Sequence, residues 1–150
     1  RIEAYWEGGY TGNPALYPLF GAHLPGDILI VNINPLTRDE VPVTAREIQN
    51  RINEISFNSS LFRELRAIDF VQRLLDDGAI PEEAMRRLRI HMIAADDLMR
   101  QLSVATKMVA VPTILHQLRI AGQNAAEPFL NEHLGKVGRK SSVDMRAMFD

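Results

Sequence analysis

The stretch Asp27-Ile28-Leu29-Ile30-Val31-Asn32-Ile33-Asn34, closed by Pro35, decides the fold class of this chain. Its apolar residues are mostly β-branched and follow one another without alternating with polar ones. Such a run is typical of a strand covered on both faces, as in a parallel sheet between layers of helices. The sequence therefore predicts a central parallel strand here and an α/β fold around it.

Further strands are indicated on either side of this one. Residues 2–6 are strand-like, and between Leu88 and Met92 apolar residues alternate with Arg89 and His91. This alternation is typical of a half-buried strand near an edge of the sheet, and it points His91 away from the core. The predicted order is strand, helix, strand, long helix, strand and then helices, an α/β arrangement with about three strands and several helices.

The long helix has a well-marked start and a change of pattern in its middle. Thr44 and Glu47 have the spacing of a capping box, so a helix begins here, and Gly78 ends it. Its apolar residues change phase at residues 58–60. This change predicts a bend, a break or a rotation of the buried face.

Proline and glycine mark the other predicted helices. Pro14 occupies the first position of a short helix, and Pro112 begins another that ends near Gly122. A further helix is capped at residues 124–127 and ends at Gly135.

Composition and length exclude several classes of function. The chain has 150 residues, of which 46% are hydrophobic, so residues 1–150 form one domain or part of one. With 17 basic and 19 acidic residues, the net charge of −2 gives no bulk attraction to nucleic acid or to an anionic membrane. The absence of cysteine excludes disulfides and thiolate chemistry and is compatible with a cytoplasmic location.

The sequence contains no signal peptide and no apolar run near the roughly 18 residues that a membrane span needs. It begins with Arg1 and not with Met, so we expect a fragment or a processed chain.

A glycine-rich turn is the main candidate site. Glu7 precedes Gly8 and Gly9, and Gly12 follows, between the first strand-like run and a helix start. A carboxylate there lies where α/β folds place ligands and catalytic groups. Taken alone, the pattern favours a solvent-exposed glutamate in a glycine turn. A phosphate-binding loop is a further possibility, but Glu7 would repel an anion and the known nucleotide-binding fingerprints are missing.

Other chemistry-bearing residues give weaker signals. The histidines lack metal-ligand spacing, so neither a metal site nor a cofactor is expected; they are His23, His91, His116 and His133. No G-x-S-x-G nucleophile elbow occurs. The basic residues within 85–89 are interpreted as a solvated face, with anionic head groups as a distant alternative.

The ordered motifs of the chain resemble a bacterial branch of the patatin-like phospholipases. The resemblance covers nearly the whole chain, and its motifs are far more specific together than singly. They are Tyr5-Trp6-Glu7-Gly8-Gly9-Tyr10-x-Gly12-Asn13-Pro14, Ile33-Asn34-Pro35-Leu36, residues 44–61 from Thr44-Ala45-x-Glu47 to Asn58-Ser59-Ser60-Leu61, His91-Met92-Ile93, Ser103-x-x-Thr106-Lys107 and Ser141-Ser142-Val143-Asp144.

The resemblance implies the C-terminal half of a patatin-like α/β/α sandwich with lipid acyl hydrolase activity. It implies that the catalytic serine and a glycine-rich oxyanion loop lie in the N-terminal half of the domain, which would be a partner of this chain. Glu7 maps onto the acid of the family's Ser–Asp dyad, with Gly8 and Gly9 as its supporting loop. The chain has Glu where the family has Asp, and an extra methylene shifts the carboxylate by about 1 Å.

Two functions follow from the resemblance and its departures. The first is hydrolysis of an acyl ester or phospholipid, with peripheral contact to a lipid surface. The alternative is a non-catalytic lipid-binding or interaction module that kept the fold, because the chain lacks a nucleophile and has Glu in place of Asp.

Overall fold

The computed structural model of the protein describes residues 3–5, 7–102 and 110–149. Within them the chain has a mixed α/β fold with a two-stranded parallel sheet. Strand β1 is Asp27–Asn32 and strand β2 is Arg89–Ala94, with Leu29 opposite His91 in the register. Helix α1, Ala45–Asp76, lies between the strands in sequence and forms the crossover that a parallel pair requires.

Two further helices follow the sheet. Helix α2 is Asp96–Gln101 and helix α3 is Pro112–Pro128, continued by a π-helical turn at Phe129–His133. Short 3₁₀ segments occupy Gly8–Tyr10, Tyr17–Phe20, Leu134–Lys136 and Arg146–Met148.

Helix α1 passes through its change of pattern without interruption, so of the three predicted alternatives the break is wrong. The helix is continuous from Ala45 to Asp76, and its capping box forms as predicted. The residues of α1 that face the rest of the fold recur at spacings of three and four and form one stripe: Glu54, Asn58, Leu61, Leu65 and Ile68. The early isoleucines, Ile48, Ile52 and Ile55, lie off this stripe and are exposed.

The core lies between α1 and one face of the sheet. Ile28, Ile30 and Ile90 from the strands pack against Leu61 and Leu65, both of which are fully buried. Leu16, Ile68, Leu88 and Met145 complete the same cluster.

The other face of β1 differs from the prediction. Leu29, Val31 and Ile33 are between 50% and 67% exposed, so burial alternates along a run that was expected to be covered on both faces. In the described part of the chain, β1 pairs with β2 along one edge only, so β1 is not central there. Among the described residues, the second edge of β1 has no partner strand, and its second face exposes these apolar side chains.

Two other boundaries also differ. Residues 3–5 carry no strand, and residues 2 and 6 of the predicted first strand lie outside the described residues. No helix begins at Pro14, because the backbone N–H groups of Leu16 and Tyr17 donate to the Glu64 carboxylate, and this tertiary contact replaces a local helix.

Helix α3 runs through Gly122 and ends at Pro128, although a break was predicted between them. A glycine in a helix interior lowers helix stability by only about 1 kcal/mol relative to alanine, and the other interactions of α3 are sufficient to keep the helix continuous through Gly122. None of the described helices has the length and apolarity that crossing a membrane requires.

Candidate functional site

The carboxylate of Glu7 is held by its own turn. Glu7 has extended backbone angles at the N-terminal end of the 3₁₀ segment Gly8–Tyr10, and its Oε1 accepts the Gly9 N–H at 2.8 Å. Thr11 closes the turn by donating its N–H and its hydroxyl to the carbonyl of Gly8. Glu7 is exposed, so the turn presents an oriented carboxylate to solvent.

The two glycines after Glu7 have different roles. A Cβ added at Gly9 would lie 2.8 Å and 2.9 Å from the two oxygens of the Glu7 carboxylate, which is too close for either atom to stay in place. A Cβ added at Gly8 would meet no atom within 4 Å. The lack of a side chain at Gly9 is therefore what lets the carboxylate reach the backbone.

The turn is tethered to the middle of α1. Asn13, just after the turn, donates its backbone N–H to Ser60 Oγ at 2.8 Å. On the same helix the buried Asn58 amide donates to the carbonyl of Pro35 at 2.8 Å, just beyond the end of β1. The turn that follows Glu7 therefore contacts α1 next to Asn58, which is level with the carboxyl end of β1, the end where α/β folds bind ligands.

Three of the described serines, Ser59, Ser60 and Ser141, have structural partners, whereas Ser142 Oγ is buried with no hydrogen-bond partner among the described residues. Ser59 and Ser60 donate to the carbonyls of Ser56 and Phe57, three residues earlier, as expected for hydroxyls on a helix. Ser141 Oγ accepts the backbone N–H of Ile90. In the ranges described, no hydrogen bond joins a serine to Glu7, and residues 103–107 of the Ser103-x-x-Thr106-Lys107 motif lie outside those ranges.

An ion-pair cluster anchors the loops at the carboxyl ends of the strands. Arg38, after β1, binds Glu54 through two hydrogen bonds, from Nε at 2.8 Å and from Nη2 at 2.6 Å. Arg51 lies 3.4 Å from the same carboxylate, and Arg38 also donates to the carbonyl of Arg100 on α2. Burial opposes ionisation of Glu54, but the two arginines outweigh it and hold the pKa of Glu54 below its ordinary value.

A second charged cluster lies at the opposite end of the sheet, and the sequence did not predict it. Asp27 accepts the backbone N–H of Gly138 at 2.7 Å, and it lies 3.0 Å from His91 Nε2 and 3.2 Å from Arg89 Nη1. Burial opposes ionisation of Asp27, but these three partners outweigh it and keep its pKa below its ordinary value. Because an ionised carboxylate only accepts hydrogen bonds, Nε2 of His91 carries the proton.

His91 points away from the core cluster, as the alternation predicts, but it is buried there and not half-exposed. It is 1% exposed and lies on the sheet face opposite α1, where its ring meets Phe129 edge-on at 6.0 Å between centroids. Its Nδ1 is buried without a hydrogen-bond partner among the described residues. Phe129, far away in sequence, provides the cover, so the alternating pattern of β2 gave no sign of it.

The described residues contain no cluster of three or more histidine, aspartate or glutamate side chains that could hold a metal ion.

Comparison with known proteins adds no relative to this picture: no protein family, curated protein or solved structure matches the chain.

Proposed function

We propose that this chain is the C-terminal half of a patatin-like serine acyl hydrolase, in which Glu7 acts as the general base. The observation that carries the proposal is the exposed Glu7 carboxylate, oriented by the Gly9 N–H on a turn that is tethered to α1. The ordered motifs of the sequence supply the family, and no cofactor is required.

The open side of the sheet is consistent with a missing half. β1 has an unpaired edge within the described chain, and Leu29, Val31 and Ile33 expose an apolar face. An exposed, apolar edge strand is a site for pairing with another strand. In the proposal, the N-terminal half of the same domain covers this surface and brings the serine and the oxyanion loop, completing an α/β/α sandwich.

The proposed reaction uses the carboxylate twice. Glu7 accepts the proton of the serine hydroxyl as Oγ attacks the ester carbonyl carbon, and the oxyanion loop of the other half stabilises the negative oxygen. Glu7 then gives the proton to the leaving alkoxide, and an acyl-serine remains. A water molecule repeats the cycle, releasing the fatty acid and restoring the serine. We place this activity in the cytoplasm, with substrate taken from a lipid surface.

The test is hydrolysis of p-nitrophenyl butyrate by the full-length protein that contains this chain. The isolated chain should show no turnover above background, because it lacks both nucleophile and oxyanion loop. Glu7→Ala in the full-length protein should lower kcat/KM by about 10²–10⁴-fold, the usual contribution of a general base. Glu7→Asp should retain or raise activity, because it restores the reach of the family's aspartate.

Gly9 and Gly8 give a matched pair of controls. Gly9→Ala should lower kcat/KM by about tenfold, because its Cβ displaces the carboxylate by a fraction of the 1 Å misplacement that costs about a hundredfold. Gly8→Ala adds the same methyl group into open space and should change kcat/KM less than about twofold. If Glu7→Ala matched the wild type in an active enzyme, the assignment of Glu7 as base would be wrong.

One observation favours the non-catalytic alternative. The Glu7 carboxylate caps its own turn, and this structural role needs no serine. If the wild type, Glu7→Ala and Glu7→Asp were all inactive while a fluorophosphonate still labelled the serine, the site would be degenerate. The lipid-binding or interaction module would then be the better account.

A further inference from the structure

A groove of about 300 Å³ runs along the outer side of helix α1, beside the loop that follows β1. Ile55 forms part of its wall, and Ile48 and Ile52 precede Ile55 on the same side of the helix, at spacings of four and three residues. The three isoleucines are between 44% and 55% exposed. The groove and the isoleucines together form the outer surface of α1, which is separate from the open face of β1 because α1 packs on the other face of the sheet.

Arginines give this surface its charge. Arg51, Arg63 and Arg66 line the groove, and no acidic side chain does. Arg63 and Arg66 make no ion pair within the described part of the chain, and the Arg66 guanidinium lies 5.0 Å from the centre of the Phe149 ring. Arg51 shares the Glu54 carboxylate with a second arginine. Positive charge therefore collects at the groove, although the whole chain has a net charge of −2.

The carboxylates of α1 do not offset this charge. Between Ile48 and Arg73, no exposed side chain of the helix is acidic. The acids of this span are engaged elsewhere: Glu54 with Arg38, Glu64 with the backbone N–H groups of Leu16 and Tyr17, and Asp69 with Arg73. A ligand at the groove therefore meets guanidinium groups and apolar side chains but no exposed carboxylate of α1.

These two kinds of group select the partner. Guanidinium groups pair with phosphate oxygens through charge-assisted hydrogen bonds. A free phosphate ion would satisfy the arginines and leave the isoleucines in water, whereas an anionic bilayer offers phosphate groups and an apolar layer side by side. A second copy of this chain would bring arginine against arginine, because the outer surface of α1 exposes no acid.

We infer that the outer surface of α1 docks the protein onto anionic phospholipid bilayers, with a lipid phosphate in the arginine groove and the isoleucines entering the lipid. At 1.5 Å per residue, the surface from Ile48 to Arg66 is about 27 Å long, so it can contact more than one lipid at once. The docking extends the proposed function, which takes its substrate from a lipid surface. It needs neither Glu7 nor a nucleophile, so the two can fail separately.

The test is co-sedimentation of the full-length protein that contains this chain with phosphatidylcholine vesicles, with or without about one third phosphatidylglycerol. The wild type should bind the anionic vesicles at least about tenfold more tightly than the neutral ones. Arg63→Gln with Arg66→Gln should weaken binding to the anionic vesicles about twenty-five-fold, because each basic residue near such a surface contributes about fivefold. The matched control, Arg119→Gln with Arg139→Gln, removes the same charge from exposed positions outside α1 and should stay within about twofold of the wild type.

A second set of variants tests the apolar part and the charge separately. Ile52→Gln should weaken vesicle binding about tenfold, because an isoleucine side chain no longer enters the lipid. Leu115→Gln makes a comparable change on α3, where Leu115 is 53% exposed like Ile52, and should change binding less than about twofold. Arg63→Lys with Arg66→Lys keeps the charge and should bind within about twofold of the wild type.

The inference is overturned if the wild type does not bind the anionic vesicles, or binds the neutral ones as tightly. It is also overturned if the glutamine variants at Arg63 and Arg66 bind like the wild type at an unchanged melting temperature. If soluble poly-glutamate bound as tightly as the vesicles and Ile52→Gln had no effect, the surface would fit an acidic protein and not a bilayer. Vesicle binding without ester hydrolysis would refute the proposed function alone, and hydrolysis of p-nitrophenyl butyrate without vesicle binding would refute the docking alone.

Discussion

Removing Arg38, which pairs with the buried Glu54, should destabilise the chain far more than removing Arg87, which pairs with two exposed carboxylates. The Glu54 side chain is 5% exposed, and Arg38 satisfies both of its oxygens. Loss of one partner of a buried pair costs about 3–5 kcal/mol. Arg51 remains 3.4 Å from Glu54, and Arg38 is itself 23% exposed, so we expect about 2 kcal/mol for Arg38→Gln.

The assay is urea denaturation followed by circular dichroism at low micromolar concentration. The control is Arg87→Gln, because Arg87 pairs with Asp76 and Glu82, whose side chains are 61% and 71% exposed. Exposed pairs of this kind are each worth about 0–1 kcal/mol. If Arg38→Gln and Arg87→Gln lowered the free energy of unfolding equally, the cluster at Glu54 would not be the anchor that its geometry indicates.

The pH dependence of the free energy of unfolding gives a second test of the Arg38–Glu54 ion pair. The pKa of Glu54 is lowered in the folded state, so its ion pairs contribute fully above its unfolded pKa and are lost as pH falls through the folded pKa. The difference between wild type and Arg38→Gln should therefore be complete at pH 7 and shrink below about pH 4. A difference that stayed constant down to pH 2 would mean that Arg38 acts through packing and not through the charge of Glu54.

Three further predictions concern other parts of the fold. Asp27→Asn should lower the free energy of unfolding, measured by urea denaturation, by about 2 kcal/mol and should speed hydrogen exchange of the Gly138 amide. Unchanged exchange at Gly138 would contradict the anchoring role of Asp27. Asn58→Ala should lower the free energy of unfolding by about 2 kcal/mol, because it leaves the carbonyl of Pro35 unpaired, whereas Ser59→Ala should lower it by less than about 0.5 kcal/mol. Equal losses for the two variants would contradict a structural role for the Asn58 hydrogen bond. The isolated chain should self-associate through the open face of β1, and Val31→Lys should reduce this in analytical ultracentrifugation; a monomeric wild type would argue against a half-domain.

Local signals in the sequence predicted the local parts of this structure. The start of α1 depends on Thr44 and Glu47, which are three residues apart and bind each other's backbone, so their spacing was sufficient. The glycine turn after Glu7 was likewise visible. The single buried stripe of α1 was not predicted, because the exposed Ile48, Ile52 and Ile55 have a helical spacing of their own.

Contacts between distant segments account for what the sequence did not predict. Asp27 and His91 are 64 residues apart and meet because the parallel register places them near each other on one face. The helix expected at Pro14 is absent because Glu64, on α1, takes the N–H groups of Leu16 and Tyr17. Residue patterns within one segment cannot predict contacts between segments this far apart in sequence.

The site assignment finally depends on how three carboxylates differ in their surroundings. Asp27 and Glu54 are each held by cationic partners that lower their pKa, and an anion so strongly stabilised is a poor acceptor of a serine proton. Glu7 is exposed, and the described part of the chain offers it one backbone N–H, at Oε1, with no cation beside it. Of these three carboxylates, Glu7 alone has an oxygen, Oε2, with no hydrogen-bond or ion-pair partner among the described residues, and this is why we propose Glu7 as the base.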